Sequence, residues 1–193
     1  TLLGQNVDSY GSDGSTKTTF AGLLDAVASI EGKFRLRFMT SHPKDFGEDV
    51  VEVMEKHRKI CRLVHLPVQS GSDAVLKAMN RRYTSGKYLS EIELLKMRLP
   101  EAEVTTDIIV GFPGETEADY LATEELVKKA DFASAFTFVF SPRSGTKAAS
   151  MEGQISEDVQ KDRIMRLVEL VNSLTRKKSE KYVGRTVEIL CED

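Results

Sequence analysis

The sequence predicts an α/β fold, an incomplete TIM-like barrel of parallel strands with helical crossovers. Three observations carry that expectation. Stretches with β-rich or period-two patterning alternate with stretches of helical periodicity as far as residue 153. Little linker is left between them, so each strand is followed by a crossover, which makes neighbouring strands parallel. The chain has 193 residues, whereas a closed eight-unit barrel takes about 250. An open doubly wound sheet is the alternative. Both architectures put ligands at the C-terminal ends of the strands.

Taken in order, Thr1–Gly4 reads as the tail of a strand. Phe20, Leu23, Leu24, Val27 and Ile30 recur at helical spacing, with Gly32 placed to cap the C-terminus. Phe34–Phe38 alternates with period two, a strand with one buried face. Val50, Val53, Met54 and His57 mark a second helix, and Leu63–Val68 the next strand. Ser72 then caps a short helix carrying Val75, Leu76 and Met79. Tyr88, Ile92, Leu95 and Leu99 form another helical stripe, stopped by Pro100. Val104–Val110 is a strand that leads into the turn at Gly111–Glu115. Thr116 to Asp119 fits a capping box for a helix to about Ala130, and Ala133–Phe140 is a fifth strand. The alternation of Phe136, Phe138 and Phe140 predicts one buried strand face, with Phe138 or Phe140 able to flank a flat ring at the rim. Beyond Gly153, Ile164, Leu167, Val168, Val171 and Leu174 line a long helix ended by Gly184. Val187–Leu190 then opens another strand. The expected organisation is a barrel core at 1–153, a helix and linker at 154–183, and the start of a small β-domain at 184–193. Opening on Thr1-Leu2-Leu3 without a Met, the sequence is expected to be a piece of a longer chain.

Composition narrows the class. Hydrophobic residues make up 40% and charged residues 30%, the balance of a soluble globular domain. No apolar run approaches the roughly 18 residues of a membrane helix. The net charge of −3 gives no global attraction for nucleic acid, so any phosphate contact must come from a local basic face. The basic run Arg176, Lys177, Lys178 and Lys181 is either such a face, an RNA-binding candidate, or a solvated helix end favoured by the helix dipole. Cys61 and Cys191 form neither a CxxC pair nor a disulfide framework, which points to a reducing, cytoplasmic setting. No metal site or catalytic triad is visible around His42, His57 or His65. His65 reads as a satisfied core histidine.

Four loops that follow strands are rich in Gly, Pro and small polar residues. They are Gly4-Gln5-Asn6, Thr40-Ser41-His42-Pro43, Pro67 to Asp73 and Gly111 to Thr116. All leave C-terminal strand ends, so they converge on one rim, where helix N-termini and small polar groups suit a ligand with carboxylate and hydroxyl groups. Each also has a structural reading as a tight turn or cap. Asp107, inside an apolar strand, is either a site residue or a hydrogen-bonded structural group.

Five blocks in one order resemble the MiaB-type tRNA methylthiotransferases, a family of radical S-adenosylmethionine enzymes. They are Leu2–Val7, Arg37–Pro43, His65–Asp73, Asp107–Thr116 and Phe140–Thr146. The resemblance implies an enzyme that adds a 2-methylthio group to C2 of N6-isopentenyladenosine beside the anticodon of tRNA. In that family one 4Fe–4S cluster cleaves S-adenosylmethionine reductively and the resulting deoxyadenosyl radical takes hydrogen from the base. A second cluster handles sulfur, and another S-adenosylmethionine supplies the methyl group. The implied partners are the tRNA anticodon stem-loop and an electron donor, with no membrane.

By position in the family's motifs, Gln5 and Asn6 meet the methionine end of S-adenosylmethionine. Gln69 and Ser70 face its ribose or carboxylate, Asp107 and Gly111 border the nucleoside, and Phe140 lies near the adenine. Thr40, Ser41 and His42 match rim positions. The family's CxxxCxxC cluster motif and its other cluster cysteines have no match here, so the ligands of both 4Fe–4S clusters are expected in the longer parent, and this piece alone is expected to be inactive. Three rivals remain: the sister methylthiotransferase acting on a ribosomal-protein aspartate, a non-catalytic RNA-binding module, and a barrel enzyme using S-adenosylmethionine without radical chemistry.

Overall fold

The fold is a computed structural model that describes residues 1–14, 16–39 and 41–189. Its centre is a parallel sheet of β1 (Leu63–His65), β2 (Glu103–Val110) and β3 (Ser134–Val139), in that spatial order. His65 aligns with Thr105, Asp107 with Phe136, and Ile109 with Phe138. The two N-terminal strands expected from the sequence are reduced to isolated parallel bridges, Leu2 with Phe38 and Leu36 with Ile60. Their hydrogen bonds still extend the sheet. Leu2 N–H donates to Arg37 O (2.7 Å), Leu36 N–H to Lys59 O (2.8 Å), and Ser41 N–H to the His65 carbonyl of β1 (3.2 Å). The result is an open, curved partial barrel.

The helices cover one side of this sheet. Helix α1 (Phe20–Ser29) starts at Thr19, whose hydroxyl accepts from Gly22 N–H, and buries Phe20, Ala21, Leu24 and Ala28. Ile30 falls outside it and is exposed. Helix α2 (Glu48–Lys56) buries Val50, Val51 and Met54. Helix α3 (Asp73–Ala78) is capped by Ser72, as the sequence predicts, and α4 (Ser85–Arg98) by Thr84. Helix α5 (Glu117–Ala130) has the expected capping box between Thr116 and Asp119. Helix α6 (Glu157–Ser179) sends Leu167 and Val171 into the same core, which includes Val64, Leu66, Val104, Ile108 and Val110 from the outer face of the strands.

Two expectations are corrected. Phe136 and Phe138 do not form a buried face: they are 58% and 50% exposed. Phe136 and Phe138 share the face of Asp107 and Ile109, and among the described residues no helix covers that face. Val187–Ile189 form no strand, and Leu190 lies outside the described residues. Helix α6 also ends at Ser179, followed by a 3-10 turn over Glu180–Tyr182, ahead of Gly184.

Where β1 ends, the ladder to β2 bulges. Leu66 N–H donates to Thr105 O and Gln69 N–H to Asp107 O, both at 2.8 Å, which leaves Val68 N–H without a backbone partner. The buried Thr106 hydroxyl takes its place: it accepts from Val68 N–H (2.9 Å) and donates to Leu66 O (2.9 Å). The Tyr88 hydroxyl also donates to Leu66 O (2.7 Å), and the Tyr83 hydroxyl to Val68 O (3.0 Å). Replacing Thr106 with Val keeps the shape and orphans a buried N–H. Thr106→Val is therefore expected to destabilise the fold by roughly 1–3 kcal/mol, read as a lower urea midpoint at unchanged slope.

Candidate functional site

The uncovered face of the sheet gathers His65 from β1, Asp107 and Ile109 from β2, and Phe136 and Phe138 from β3, with Gln69 and Phe140 at the strand ends. His65 Nδ1 lies 3.0 Å from Thr105 Oγ1, and its Nε2 lies 3.6 Å from Asp107 Oδ2. The Phe136 ring meets His65 edge to face at 6.3 Å. Asp107 is thus neither an orphan nor deep in the core. It is half-buried on a surface of flat rings, beside an imidazole.

A cleft of about 480 Å³ opens at this end, lined by Gln69, Asp107, Ile109, Phe138, Phe140 and Arg143 among others. Gln69 reaches it in a left-handed conformation (φ 70°), which costs a non-glycine residue on the order of 1 kcal/mol. The bulge imposes that conformation: Gln69 N–H donates to Asp107 O (2.8 Å) while Gln69 O accepts from Ile109 N–H (2.9 Å). Phe140 packs edge to face on Phe112 at 5.1 Å. A larger groove, about 1190 Å³, runs along the outer side of α6. Of the residues expected at a binding site, it touches only Arg176 and Lys177.

The Gly111 turn sits beside the cleft and needs its glycine. Its φ is 77°, and a Cβ there would come within 2.6 Å of Gln160 Cγ. Glu115 Oε2 accepts from Gly111 N–H (2.8 Å) and from Arg163 Nη1 of α6 (2.8 Å), both charged side chains being almost wholly buried. Burial pushes the Glu115 carboxyl up, opposed by the Gly111 amide and the Arg163 guanidinium.

A second polar group forms at the N-terminal end of the rim. Asn6 Nδ2 donates to Asp45 Oδ2 (2.6 Å), and Asn6 Oδ1 is buried without a partner. Asp8 accepts from the Ser41 hydroxyl (3.2 Å) and from His42 N–H (3.0 Å). His42 Nδ1 accepts from Lys44 N–H (3.1 Å), and its ring meets Tyr83 edge to face at 5.5 Å. Burial holds the Asp8 carboxyl well above the usual range, at about 7, against those two hydrogen bonds. Gln5 is exposed nearby, and Thr40 lies outside the described residues.

Of the residues expected at the site, Gln69, Asp107 and Phe140 share one cleft, while Asn6 and His42 share another of about 260 Å³. The Ser70 hydroxyl is fully buried against Thr123 of α5 and accepts from Ser72 N–H, so it faces the helix layer. Lys178 is held by Glu103 (2.6 Å) and Asp131 (2.9 Å), and Lys181 pairs with Glu103. Glu103 is the first residue of β2, so these cations sit at the opposite end of the strands from the cleft. Asp8, Arg81 and Arg143 line or border these clefts without having been singled out, whereas Phe138 was named as a ring able to flank a flat ligand. Among the described residues no three His, Cys, Asp or Glu side chains are placed to hold a metal ion, and Cys61 is a lone free cysteine. These residues do not fit an iron–sulfur cluster.

Two outcomes follow from this geometry. Arg163→Met leaves the Glu115 carboxylate buried without its counter-ion and is expected to destabilise by about 3–5 kcal/mol in urea unfolding. Asp8 holds its proton more tightly in the fold than in the unfolded chain, so its contribution to stability is full below about pH 4 and is lost as pH rises through about 7. An Asp8→Asn variant should therefore gain thermal stability relative to the parent between pH 5 and pH 8. A pH-independent difference between the two melts would contradict the buried carboxyl.

Comparison with known proteins places this arrangement. The chain is 53% identical over 192 residues to the tRNA-2-methylthio-N(6)-dimethylallyladenosine synthase of Clostridium botulinum (strain Loch Maree / Type A3), covering 100% of this chain and 43% of that protein. It is 49% identical over 191 residues to the synthase of the same name from Fusobacterium nucleatum, covering 99% and 44%. The chain thus spans less than half the length of these curated relatives. In structure it is similar to coproporphyrinogen III oxidase (HemN) from Escherichia coli, described as a radical SAM enzyme, with a TM-score of 0.58 at 16% identity over 74% of this chain and 32% of that one. The family model described as the radical SAM superfamily matches residues 4–127. The open parallel sheet, the strand-end cleft and that match agree: this chain belongs to the radical SAM superfamily.

Proposed function

We propose that the chain is the core of a tRNA methylthiotransferase, which adds a 2-methylthio group to C2 of N6-isopentenyladenosine beside the anticodon. The observation that carries this reading is the 53% identity along the whole chain to a synthase of that name. The cleft supports it chemically. Phe138 and Phe140 offer faces for a purine, and Asp107 offers a carboxylate to ribose hydroxyls or base N–H groups. The Gln69 side chain adds an amide donor and acceptor. Gly111 lets Gln160 of α6 pack against the end of β2 beside the cleft.

Asn6 Oδ1, buried and without a partner, is an acceptor that an ammonium group satisfies, which suits the methionine end of S-adenosylmethionine with Gln5 beside it. Ser41 and His42, tied to Asp8, shape the rim next to Asn6, where the expectation for Thr40 also falls. Ser70 acts through the loop that carries Gln69. Once bound, S-adenosylmethionine supplies the methyl group and the hydrogen-abstracting chemistry. This chain's residues position the nucleoside and exclude water from it.

The remaining assignments belong to the same proposal. The barrel core runs over 1–153, the helix and linker over 154–183, and the β-domain begins in 184–193. The whole enzyme carries two 4Fe–4S clusters on residues outside this chain, works in the cytoplasm and takes electrons from a separate donor. No helix among the described residues is long and apolar enough to cross a membrane.

Nucleoside mass spectrometry of bulk tRNA tests the reading. Cells lacking the full gene should lose the 2-methylthio group and keep the N6-alkylated adenosine, and restoring the gene should return it. Methylthiolated tRNA that persists in the deletion would move the substrate to a ribosomal-protein aspartate. In the full enzyme, Phe138→Ala is expected to weaken S-adenosylmethionine binding about tenfold, within the roughly 1–3 kcal/mol of a lost base–aromatic stack. Asp107→Ala should weaken it as well, with the melting temperature unchanged.

A further inference from the structure

The strand-end cleft is one end of a longer trench. It shares Ile109, Phe140 and Ala148 with a cavity of about 600 Å³, which in turn shares Met79, Asn80 and Arg81 with the 260 Å³ cavity beside Asn6 and His42. Six cations line this trench: Arg143, Lys147, Lys77, Arg81, Arg82 and Lys44. Among the described residues the one carboxylate that lines it is Asp107, at the ring-lined end. On a chain of net charge −3 this is a local reversal of sign.

The turn after α3 builds part of it. Asn80 adopts a left-handed conformation (φ 59°), and Arg81 N–H donates back to Leu76 O (2.8 Å), which turns Arg81 and Arg82 out of the helix axis into the trench. Lys44 pairs with Asp45 (3.3 Å), and Arg81 Nη1 lies 3.4 Å from His42 Nε2. Among the described residues Lys77, Arg82, Arg143 and Lys147 have no carboxylate partner, whereas Lys178 and Lys181 at the other end of the strands are neutralised by Glu103 and Asp131. Asn6 and His42 are half-buried in the floor, and Lys44 and Arg82 are exposed at the edge. Cations spread over three joined cavities do not converge on one small anion. They suit a chain of phosphates that leads up to the ring-lined cleft.

We propose that this trench seats the sugar–phosphate backbone of the RNA leading up to the target nucleotide, with Lys77, Arg82, Arg143 and Lys147 as the phosphate contacts and the target base turned toward the S-adenosylmethionine cleft that Asp107 and Phe138 line. The inference rests on the tRNA reading and extends it: the rim of the barrel, rather than the basic end of α6, carries the electrostatic grip of this part of the enzyme.

The test compares two triple variants of the full-length protein, Lys77→Gln/Arg82→Gln/Lys147→Gln in the trench and Arg176→Gln/Lys177→Gln/Lys161→Gln on α6. The probe is a fluorescein-labelled anticodon stem-loop RNA with an N6-isopentenyladenosine in its loop, titrated at several salt concentrations, with thermal melts of each variant as the check on folding. The trench triple is expected to lower the slope of log K against log salt by about 2, at roughly 0.7 per lost contact, and the α6 triple to leave it near the parent value. A parent that binds the RNA with a slope the trench triple does not change, or that only the α6 triple flattens, overturns the inference and leaves the tRNA reading intact. A parent that does not bind the RNA at low salt but binds an acidic peptide overturns both.

Discussion

The geometry of the site depends on one constraint: the ladder between β1 and β2 is one partner out of step after Leu66. An intact parallel ladder would pair Val68 with Ile108, the partner that Gln69 takes instead. Instead Thr106 supplies a side-chain hydroxyl where a backbone group belongs, and two tyrosine hydroxyls, from Tyr83 and Tyr88, saturate the carbonyls around it. These groups are buried, so each unmade hydrogen bond would cost more than a surface bond contributes. That asymmetry holds Gln69 in a conformation it would not otherwise adopt and brings its side chain to the cleft that Asp107 lines.

A second anchor acts on the opposite side of the cleft. The Gly111 turn is tied to α6 through Glu115 and Arg163, and Gln160 Nε2 donates to Gly111 O (3.3 Å). Helix α6 therefore does more than close the core with Leu167 and Val171: it fixes the end of β2 beside the cleft. The charges divide accordingly. Acids and bases of the helix layer neutralise one another, as in Arg166 with Glu117 and Glu124, while the unpaired cations of the trench face the open side of the sheet. A net acidic chain can in this way present a basic mouth.

The helices and β2 were legible in the sequence because their signals are local: periodic apolar positions, the caps at Ser72 and Thr116, and the stop at Pro100. The N-terminal strands were legible as alternation, but not as the bridges they become, because hydrogen bonding depends on what lies alongside. Phe136 and Phe138 were misread for a related reason. Period two identifies a strand face without saying which face the helices cover, and here the ring-bearing face is the open one. The positions of Gln69 and Asp107 at one cleft were legible through their motifs, and that of Asn6 at the other through its loop. Thr106, Tyr83, Asp8 and Arg163 were not, since each acts through a partner about 15 to 50 residues away, and one sequence does not reveal such pairing. The basic run on α6 was visible, and its ion pairs with Glu103 and Asp131 were not.

The most direct test of a strand-end ligand cleft is hydrogen–deuterium exchange of the full-length protein with and without S-adenosylmethionine. S-adenosylmethionine bound at the strand ends should slow exchange in the loops at residues 69–72, 111–116 and 140–146, with little change in α2. Protection confined to the outer helices, with those three strand-end loops unaffected, would contradict it.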